Sequence, residues 1–174
     1  AVLGSNVEII EKILRDNEKN FNVQIANDNS EGQIVLSGKI DDLEKLIEVL
    51  KENSIKSIKL PVSAPFHCSL MSKATNIMRK ELNKISFSEG RNKLISNVTA
   101  EVISDTENLK FLLIKQIENR VRWRESVIYM IKNDINHFIE IGPGKVLSGL
   151  VKRINRDVKI NTINSQSDIE SIKI

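Results

Sequence analysis

Hydrophobic and polar positions alternate between strand and helix periods over the first part of the chain. The strand-like runs are Ala1–Leu3, Asn22–Asn27, Gln33–Ser37 and Ser57–Val62. Apolar residues at helical spacing predict helices over Val7–Arg15 and Asp41–Glu52. Asp28–Gly32 is rich in turn-forming residues and predicts a hairpin turn. The resulting order β-α-β-β-α-β is typical of a ferredoxin-like subdomain.

The rest of the chain predicts a second layer of helices and short strands. The predicted helices are Ser69–Ile85, Asn108–Ile117, Trp123–Asn133 and Lys145–Asn155. The predicted strands are Lys93–Val98 (continued by Glu101–Ile103), His137–Ile141 and Val158–Ile163, followed by a polar tail. Such alternation predicts a parallel α/β sheet, but three strands make an incomplete sheet. A proline-bracketed loop at Leu60–Pro65 predicts a boundary, giving domains of residues 1–61 and 62–174.

The composition of the chain argues against several classes of function. The 174 residues carry a formal net charge of +3, and basic residues are interleaved with acidic ones, so no nucleic-acid footprint is predicted. No apolar run is long enough to span a membrane, and no signal peptide opens the chain. A single cysteine excludes an internal disulfide and favours a reducing, cytoplasmic location. One cysteine and two histidines predict no metal site.

The loop Pro61–Met71 is the most informative segment for chemistry. It presents His67, one of two histidines, between a strand-like and a helix-like run. Pro65 stiffens the loop, and Ser69 is predicted to cap the next helix. This rigid placement is what a general base requires, so His67 is a candidate base. The other interpretation is that His67 is merely structural. Cys68 is predicted to be a small buried apolar residue rather than a nucleophile. The chain contains no Gly-x-Ser-x-Gly motif to supply a serine.

Other polar groups allow two interpretations each. Asn27 and Asn29 are either turn formers or amides that face a substrate. The basic residues near one helix end are either solvated or meet an acidic partner; they are Lys115, Arg120, Arg122 and Arg124. Gly142–Lys145 lacks the pattern of a phosphate loop and predicts a tight turn into a helix, whose N-terminus could still attract an anion.

Several segments, in order along the chain, resemble motifs of the malonyl-CoA:acyl carrier protein transacylases. They are Asn27–Gly38 (NDNSEGQIVLSG), Pro61–Met71 (PVSAPFHCSLM), Ile95–Ala100 (ISNVTA), Lys115–Trp123 (KQIENRVRW) and Glu140–Arg153 (EIGPGKVLSGLVKR). The resemblance implies a ferredoxin-like subdomain joined to the C-terminal part of an α/β-hydrolase-like acyltransferase domain. It implies transfer of a malonyl group from malonyl-CoA to the phosphopantetheine thiol of acyl carrier protein in fatty acid biosynthesis, without a cofactor.

The resemblance also implies roles for particular residues. His67 matches the general base of a Ser-His dyad, and Gln116 matches the residue whose backbone carbonyl orients that histidine. Phe66 matches a position associated with preference for malonyl groups, and Asn29 an active-site polar position of the small subdomain. Glu31 and Arg120 replace common prolines, which affects local turns.

The family's serine, oxyanion loop and malonyl-binding arginine have no counterpart in these residues. The opening Ala1–Gly4 resembles a strand already under way, so we expect a truncated transacylase that is inactive alone and is completed by an N-terminal half carrying the serine. The alternative is a non-catalytic remnant or a module that binds acyl carrier protein.

Overall fold

The computed structural model describes residues 1–172. Contacts between residues divide the chain into two compact units, Ala1–Ser126 and Val127–Ile174. The boundary predicted between residues 61 and 62 falls inside the first unit and stays a prediction.

The first unit is built on a four-stranded antiparallel sheet. Its strands are β1 (Val2–Leu3), β2 (Val23–Ser30), β3 (Gln33–Gly38) and β4 (Lys56–Ser57). Their spatial order is β2-β3-β1-β4, and every neighbouring pair is antiparallel. This order places β3 between β1 and β2, as the split β-α-β pattern requires. The predicted ferredoxin-like arrangement is therefore confirmed.

Two helices supply the apolar layer that packs on this sheet. Helix α1 spans Val7–Asp16 and α2 spans Ile40–Glu52. Asn6 starts α1, since its side-chain oxygen accepts a hydrogen bond from the amide of Ile9 at 2.9 Å. The shared core consists of Val2, Val7, Ile10, Phe21, Val23, Ile25, Ile34, Leu46 and Leu50. These are the positions at which the strand and helix periods place apolar residues.

Two boundaries in this subdomain differ from prediction. Strand β2 continues to Ser30, so the hairpin turn is Glu31-Gly32 and not the whole of Asp28–Gly32. Gly32 adopts a φ of 75°, which a side chain would resist. Strand β4 ends at Ser57 instead of reaching residue 62. Its partner β1 spans only Val2–Leu3, so the ladder between them contains two residue pairs.

The remainder of the first unit connects this sheet to three further helices. A short 3-10 helix at Ser69–Met71 leads into α3 (Ser72–Leu82), and α4 spans Thr106–Lys115. Helix α5 (Trp123–Lys132) begins in the first unit and runs past its end. The predicted strand Lys93–Val98 is wrong, because only Ile95 and Val102 form an isolated bridge.

The second unit contains a two-stranded parallel sheet. Strands β5 (His137–Ile141) and β6 (Lys159–Ile163) pair in register from His137 and Lys159 onward, joined by helix α6 (Val146–Ile154). Two strands, within the described residues, form an incomplete sheet, as predicted. The predicted polar tail instead forms a helix, α7 (Gln166–Ser171), which Ser165 and Asp168 start with a reciprocal capping box. That Ser-x-x-Asp signal was present in the sequence.

No helix within residues 1–172 has the length and apolar character needed to cross a membrane.

Strand β2 is also joined to the segment that precedes α5. The amide of Asp28 donates to the carbonyl of Val121 at 2.9 Å, and the amide of Val121 donates to the carbonyl of Ala26 at 2.8 Å. Arg124 Nε donates to both carboxylate oxygens of Asp28 at 3.0 Å. Asp28 is 1% exposed, so this bidentate ion pair lies inside the unit. It fixes the ferredoxin-like sheet against the polypeptide that follows α4.

We therefore predict that Asp28→Asn destabilises the protein by roughly 2–3 kcal/mol. Removing one partner of a buried pair leaves the other charge uncompensated, and the partial exposure of Arg124 moderates that cost. Urea unfolding followed by circular dichroism measures the change. Glu48→Gln is the matched control, because Glu48 pairs with Lys51 on the surface and its loss should cost under about 1 kcal/mol. Equal effects of the two substitutions would contradict the prediction.

Candidate active site

His67 occupies a strained position in a tightly folded loop. Its φ of 59° lies in the left-handed region, which residues other than glycine seldom adopt. The amide of Phe66 donates to the carbonyl of Ala64 at 3.0 Å, which closes the turn just before it. Strain of this kind persists only where surrounding contacts impose it, and it often marks functional sites.

Contacts on the C-terminal side of His67 hold the loop on the ferredoxin-like sheet. Cys68 is 1% exposed and its thiol donates to the carbonyl of Pro65 at 3.2 Å, while Ser37 Oγ donates to Cys68 Sγ at 3.6 Å. The burial predicted for Cys68 is confirmed. The amide of Ser69 donates to Gln24 Oε1 at 2.7 Å. The predicted cap by Ser69 is wrong, because Ser69 lies inside the 3-10 helix and α3 starts after Met71 without a side-chain cap hydrogen bond.

The decisive contact of the loop joins His67 to the end of α4. His67 Nδ1 lies 2.8 Å from the backbone carbonyl oxygen of Gln116, the residue that ends the helix. The last carbonyls of a helix lack partners within it and are free to accept. A carbonyl only accepts, so in the neutral imidazole the hydrogen is on Nδ1 and Nε2 carries the lone pair. The contact thus orients the ring through a carbonyl, and the role of His67 as a general base stays a prediction.

His67 also lines an open cleft of roughly 480 Å³ in the first unit. The other residues around it are Glu11, Leu14, Arg15, Glu18, Gln24, Ile25, Glu118, Asn119 and Arg120. They come from α1 and the turn after it, from the start of β2 and from the turn after α4. The histidine itself is half-buried. Within residues 1–172 no cluster of histidine, cysteine or acidic side chains could hold a metal ion.

Proteins similar to this chain are known both from their sequences and from solved structures. No family model matches the chain. The Bacillus subtilis malonyl CoA-acyl carrier protein transacylase is 40% identical over 172 residues, covering 98% of this chain and 54% of the relative. The chain is homologous to the malonyl CoA-acyl carrier protein transacylases. It spans about half the length of the curated relatives that it matches.

Solved structures of the same group have the same fold. The Clostridium perfringens transacylase is 40% identical with a TM-score of 0.93, covering 98% of this chain and 54% of that one. The Vibrio cholerae acyl carrier protein S-malonyltransferase is 35% identical with a TM-score of 0.93, over 99% and 57% of the two chains. A malonyl-transacylase solved in complex with a type II polyketide synthase acyl-carrier protein is 29% identical with a TM-score of 0.91, over 98% and 55%.

The two asparagines predicted to face a substrate lie within β2. The interpretation of Asn27 and Asn29 as turn formers is wrong, because both lie in the strand before the turn. The ladder between β2 and β3 shifts register between Asp28 and Ser30, so Asn29 lies in a bulge. Bulges redirect side chains and are frequent beside active sites. Contact of either amide with a substrate stays a prediction, as does the role of Phe66, which is 50% exposed.

The arginines predicted to form a solvated cluster are bound within the first unit instead. Arg120 pairs with Glu11 at 2.9 Å, Arg122 with Glu125, and Arg124 with Asp28. Arg120 and Arg122 join the segment before α5 to α1 and to α5, and Arg124 joins α5 to β2. The alternation of the arginines gave no sign of the partners of Arg120 and Arg124, because the fold brings Glu11 and Asp28 to them from distant positions. These three arginines are therefore already paired and are not free to bind an acidic partner protein.

The Gly142–Lys145 turn of the second unit forms a tight strand-to-helix turn, as predicted. The carboxylate of Glu140 accepts from the amides of Leu147 at 3.1 Å and Ser148 at 2.7 Å, and Asn164 Oδ1 accepts from the amide of Gly144 at 2.7 Å. The positive end of α6 is thus neutralised by the chain's own carboxylate. An external anion at that helix end, allowed by the sequence, would have to compete with Glu140.

We predict that His67 is the Nδ1-protonated tautomer whenever its imidazole is neutral. The Gln116 carbonyl requires a donor at Nδ1. Long-range ¹H–¹⁵N spectra distinguish the tautomers, and His67→Asn assigns the signals because the chain has two histidines. His137 is an internal reference, since its Nε2 lies 2.7 Å from Asn161 Oδ1 and should carry the hydrogen there. A dominant Nε2-protonated form of His67 would contradict the geometry.

A second prediction concerns stability in acid. Hydrogen bonding to Arg122, ahead of the attraction of the neighbouring arginines, holds the pKa of Glu125 below its usual range. A lowered folded-state pKa stabilises the protein above the ordinary glutamate range, and that contribution is lost as the pH falls through the lowered pKa. Unfolding free energies of the protein and of Glu125→Gln should therefore differ at pH 7 and converge toward pH 3. A constant difference across that range would refute the assignment.

Proposed function

We propose that this chain supplies the histidine half of a malonyl-transfer site that moves a malonyl group from malonyl-CoA to acyl carrier protein. The observation that supports this most directly is the 2.8 Å contact between His67 Nδ1 and the Gln116 carbonyl. It leaves Nε2 as a base without a carboxylate partner. Malonyl-transfer activity is what the names of the homologous proteins state.

The first half of the proposed reaction loads an enzyme ester. His67 Nε2 accepts the hydroxyl proton of a serine as its oxygen attacks the malonyl thioester carbonyl. The carbon–sulfur bond to coenzyme A then breaks, and the imidazolium returns its proton to the departing thiolate. The products are a malonyl-serine ester and free coenzyme A. The Gln116 carbonyl stabilises the transient imidazolium, as a carboxylate does in a triad.

The second half transfers the malonyl group by the same chemistry in reverse. His67 takes the proton of the phosphopantetheine thiol of acyl carrier protein, and the sulfur attacks the ester carbonyl. The serine leaves and recovers its proton from the imidazolium. Only proton transfers and acyl exchange are involved, so the proposed reaction has two substrates and no cofactor. We place the protein in the cytoplasm, consistent with its single reduced cysteine.

The serine itself is proposed to come from polypeptide outside these residues. The chain contains no Gly-x-Ser-x-Gly motif and matches about half of each relative. The second unit is consistent with an additional layer of polypeptide over its sheet, because parallel sheets are normally covered on both faces. In β5, Ile139 is 38% exposed and Ile141 is 78% exposed; in α6, Val146 is 73% exposed. A complementing N-terminal half is the proposed cover.

Acyl carrier protein is the proposed macromolecular partner. One homologous malonyl-transacylase has been solved in complex with an acyl-carrier protein. Arg120, Arg122 and Arg124 are paired with carboxylates of the first unit, so the proposed contact with acyl carrier protein must use other surface residues. The alternative function is binding of the carrier protein without catalysis. It differs from the proposed function because it does not require His67.

A complementation assay tests the proposal. The chain alone should not transfer malonyl groups to acyl carrier protein. Co-expression with the part of the Bacillus subtilis relative that lies outside the matched region should produce transfer. His67→Ala should then lower turnover on the order of 10⁵-fold or more, because a dyad acts as a unit. Malonyl-carrier protein formation is followed by mass spectrometry.

His137→Ala is the matched control for that assay. His137 is the other histidine of the chain and should be dispensable for transfer. Transfer by the chain alone would contradict the proposal of a half site. An inactive complemented pair whose chain still binds acyl carrier protein would favour the binding-module alternative. Unchanged turnover of His67→Ala in an active pair would remove His67 from the mechanism.

A further inference from the structure

The segment Ile95–Val102 forms a compact loop whose shape is set by its own hydrogen bonds. Ser96 is 4% exposed, and its hydroxyl oxygen accepts from the amides of Val98 at 3.0 Å and Thr99 at 3.3 Å. The amide of Ala100, a residue with a φ of 60°, donates to the carbonyl of Ser96 at 2.9 Å. The polar side chain of Ser96 and the backbone strain at Ala100 explain why this β-branched segment turns instead of forming a strand.

This loop contacts both ends of the segment that carries the Gln116 carbonyl. At one end, Asn97 Nδ2 donates to Gln116 Oε1 at 3.3 Å. At the other, the amide of Arg122 donates to the carbonyl of Asn97 at 2.9 Å, and Arg122 Nη1 donates to the carbonyl of Thr99 at 3.2 Å. Asn97 therefore bonds residues on either side of the turn after α4, using its side chain for one and its backbone for the other.

The direction of the Gln116 carbonyl depends on how that turn is held. Gln116 ends α4, where backbone carbonyls are released from the helix and the last turn readily loosens. A hydrogen bond weakens steeply when its angle is lost, so a rotation of this peptide plane would release His67. The side chain of Gln116 restrains the rotation of this residue, because Asn97 Nδ2 donates a hydrogen bond to its Oε1 atom.

We propose that Asn97 is a positioning residue for His67 that acts through Gln116. It bonds the side chain of Gln116, whose carbonyl accepts from His67, and it completes a path Asn97–Gln116–His67 across three separate segments of the first unit. The role in transfer rests on the proposed function, whereas the effect on the imidazole is a property of this chain alone. Arg122 supports the same loop from the far side of the turn.

The test measures the tautomer ratio of His67 in the full 174-residue chain by ¹H–¹⁵N spectroscopy. Asn97→Ala should lower the ratio of Nδ1-protonated to Nε2-protonated forms by roughly fivefold, the factor expected from weakening one hydrogen bond. Gln116→Ala keeps the backbone carbonyl and removes only the side-chain bond to Asn97, so it should give a similar shift. The double variant should shift the ratio no further than either single variant, because both remove one interaction.

Control variants separate positioning from general loosening. Asn53→Ala removes a comparable side-chain bond, to the carbonyl of Val49 at 2.8 Å, at the end of α2, and should leave the tautomer ratio unchanged. The His137 signal should be unaffected in every variant. If Asn97→Ala does not fold, Gln116→Ala carries the test by itself. An unchanged His67 ratio in Gln116→Ala, or in a folded Asn97→Ala, overturns the proposal whether or not malonyl transfer is established.

Discussion

A single hydrogen bond, from His67 Nδ1 to the carbonyl of Gln116, requires the rest of the first unit to hold two distant segments in fixed positions. Its two partners are 49 residues apart in sequence, so neither local turn geometry nor helix propensity can bring them together. The loop that carries His67 must be held from one side, and the end of α4 from the other. A deviation of about 1 Å at either end would break an interaction of this kind.

The ferredoxin-like sheet holds both partners of that bond. Ser37 and Gln24, on β3 and β2, bind the residues just after His67. Further along β2, Asp28 binds Arg124 and shares backbone hydrogen bonds with Val121, just beyond the turn that follows Gln116. The small subdomain therefore serves as the rigid frame that holds His67 and the carbonyl that orients it. This frame offsets the backbone strain at His67, which costs about 1–3 kcal/mol.

Charge in this protein is used internally where the sequence alone suggested an external role. Arg120, Arg122 and Arg124 have their carboxylate partners on α1, α5 and β2, and Glu140 occupies the helix end to which an anion could have bound. Removing one partner of a buried pair leaves the other charge uncompensated, which is costly. The second unit, in contrast, leaves apolar side chains of β5 and α6 exposed, which is consistent with a sheet that requires additional cover.

The sequence by itself determined the order of elements in the ferredoxin-like subdomain, the apolar core of its sheet and the candidate histidine. These follow from local periodicity and from proline and glycine positions, which act over a few residues. It also contained the capping signal of α7, which the polar composition of the tail concealed. Resemblance to a family, rather than periodicity, pointed to Gln116 as the partner of His67.

Only the tertiary structure decided which polar groups meet. It extended β2 through Asp28 and Asn29, turned Ile95–Ala100 into a loop, and gave Arg120 and Arg124 their carboxylates. These two ion pairs join residues distant in sequence, and their energies depend on burial and geometry that no local pattern encodes. The importance of His67 could thus be suspected from its loop, but its orientation was fixed by a carbonyl that only the folded chain brings within 2.8 Å.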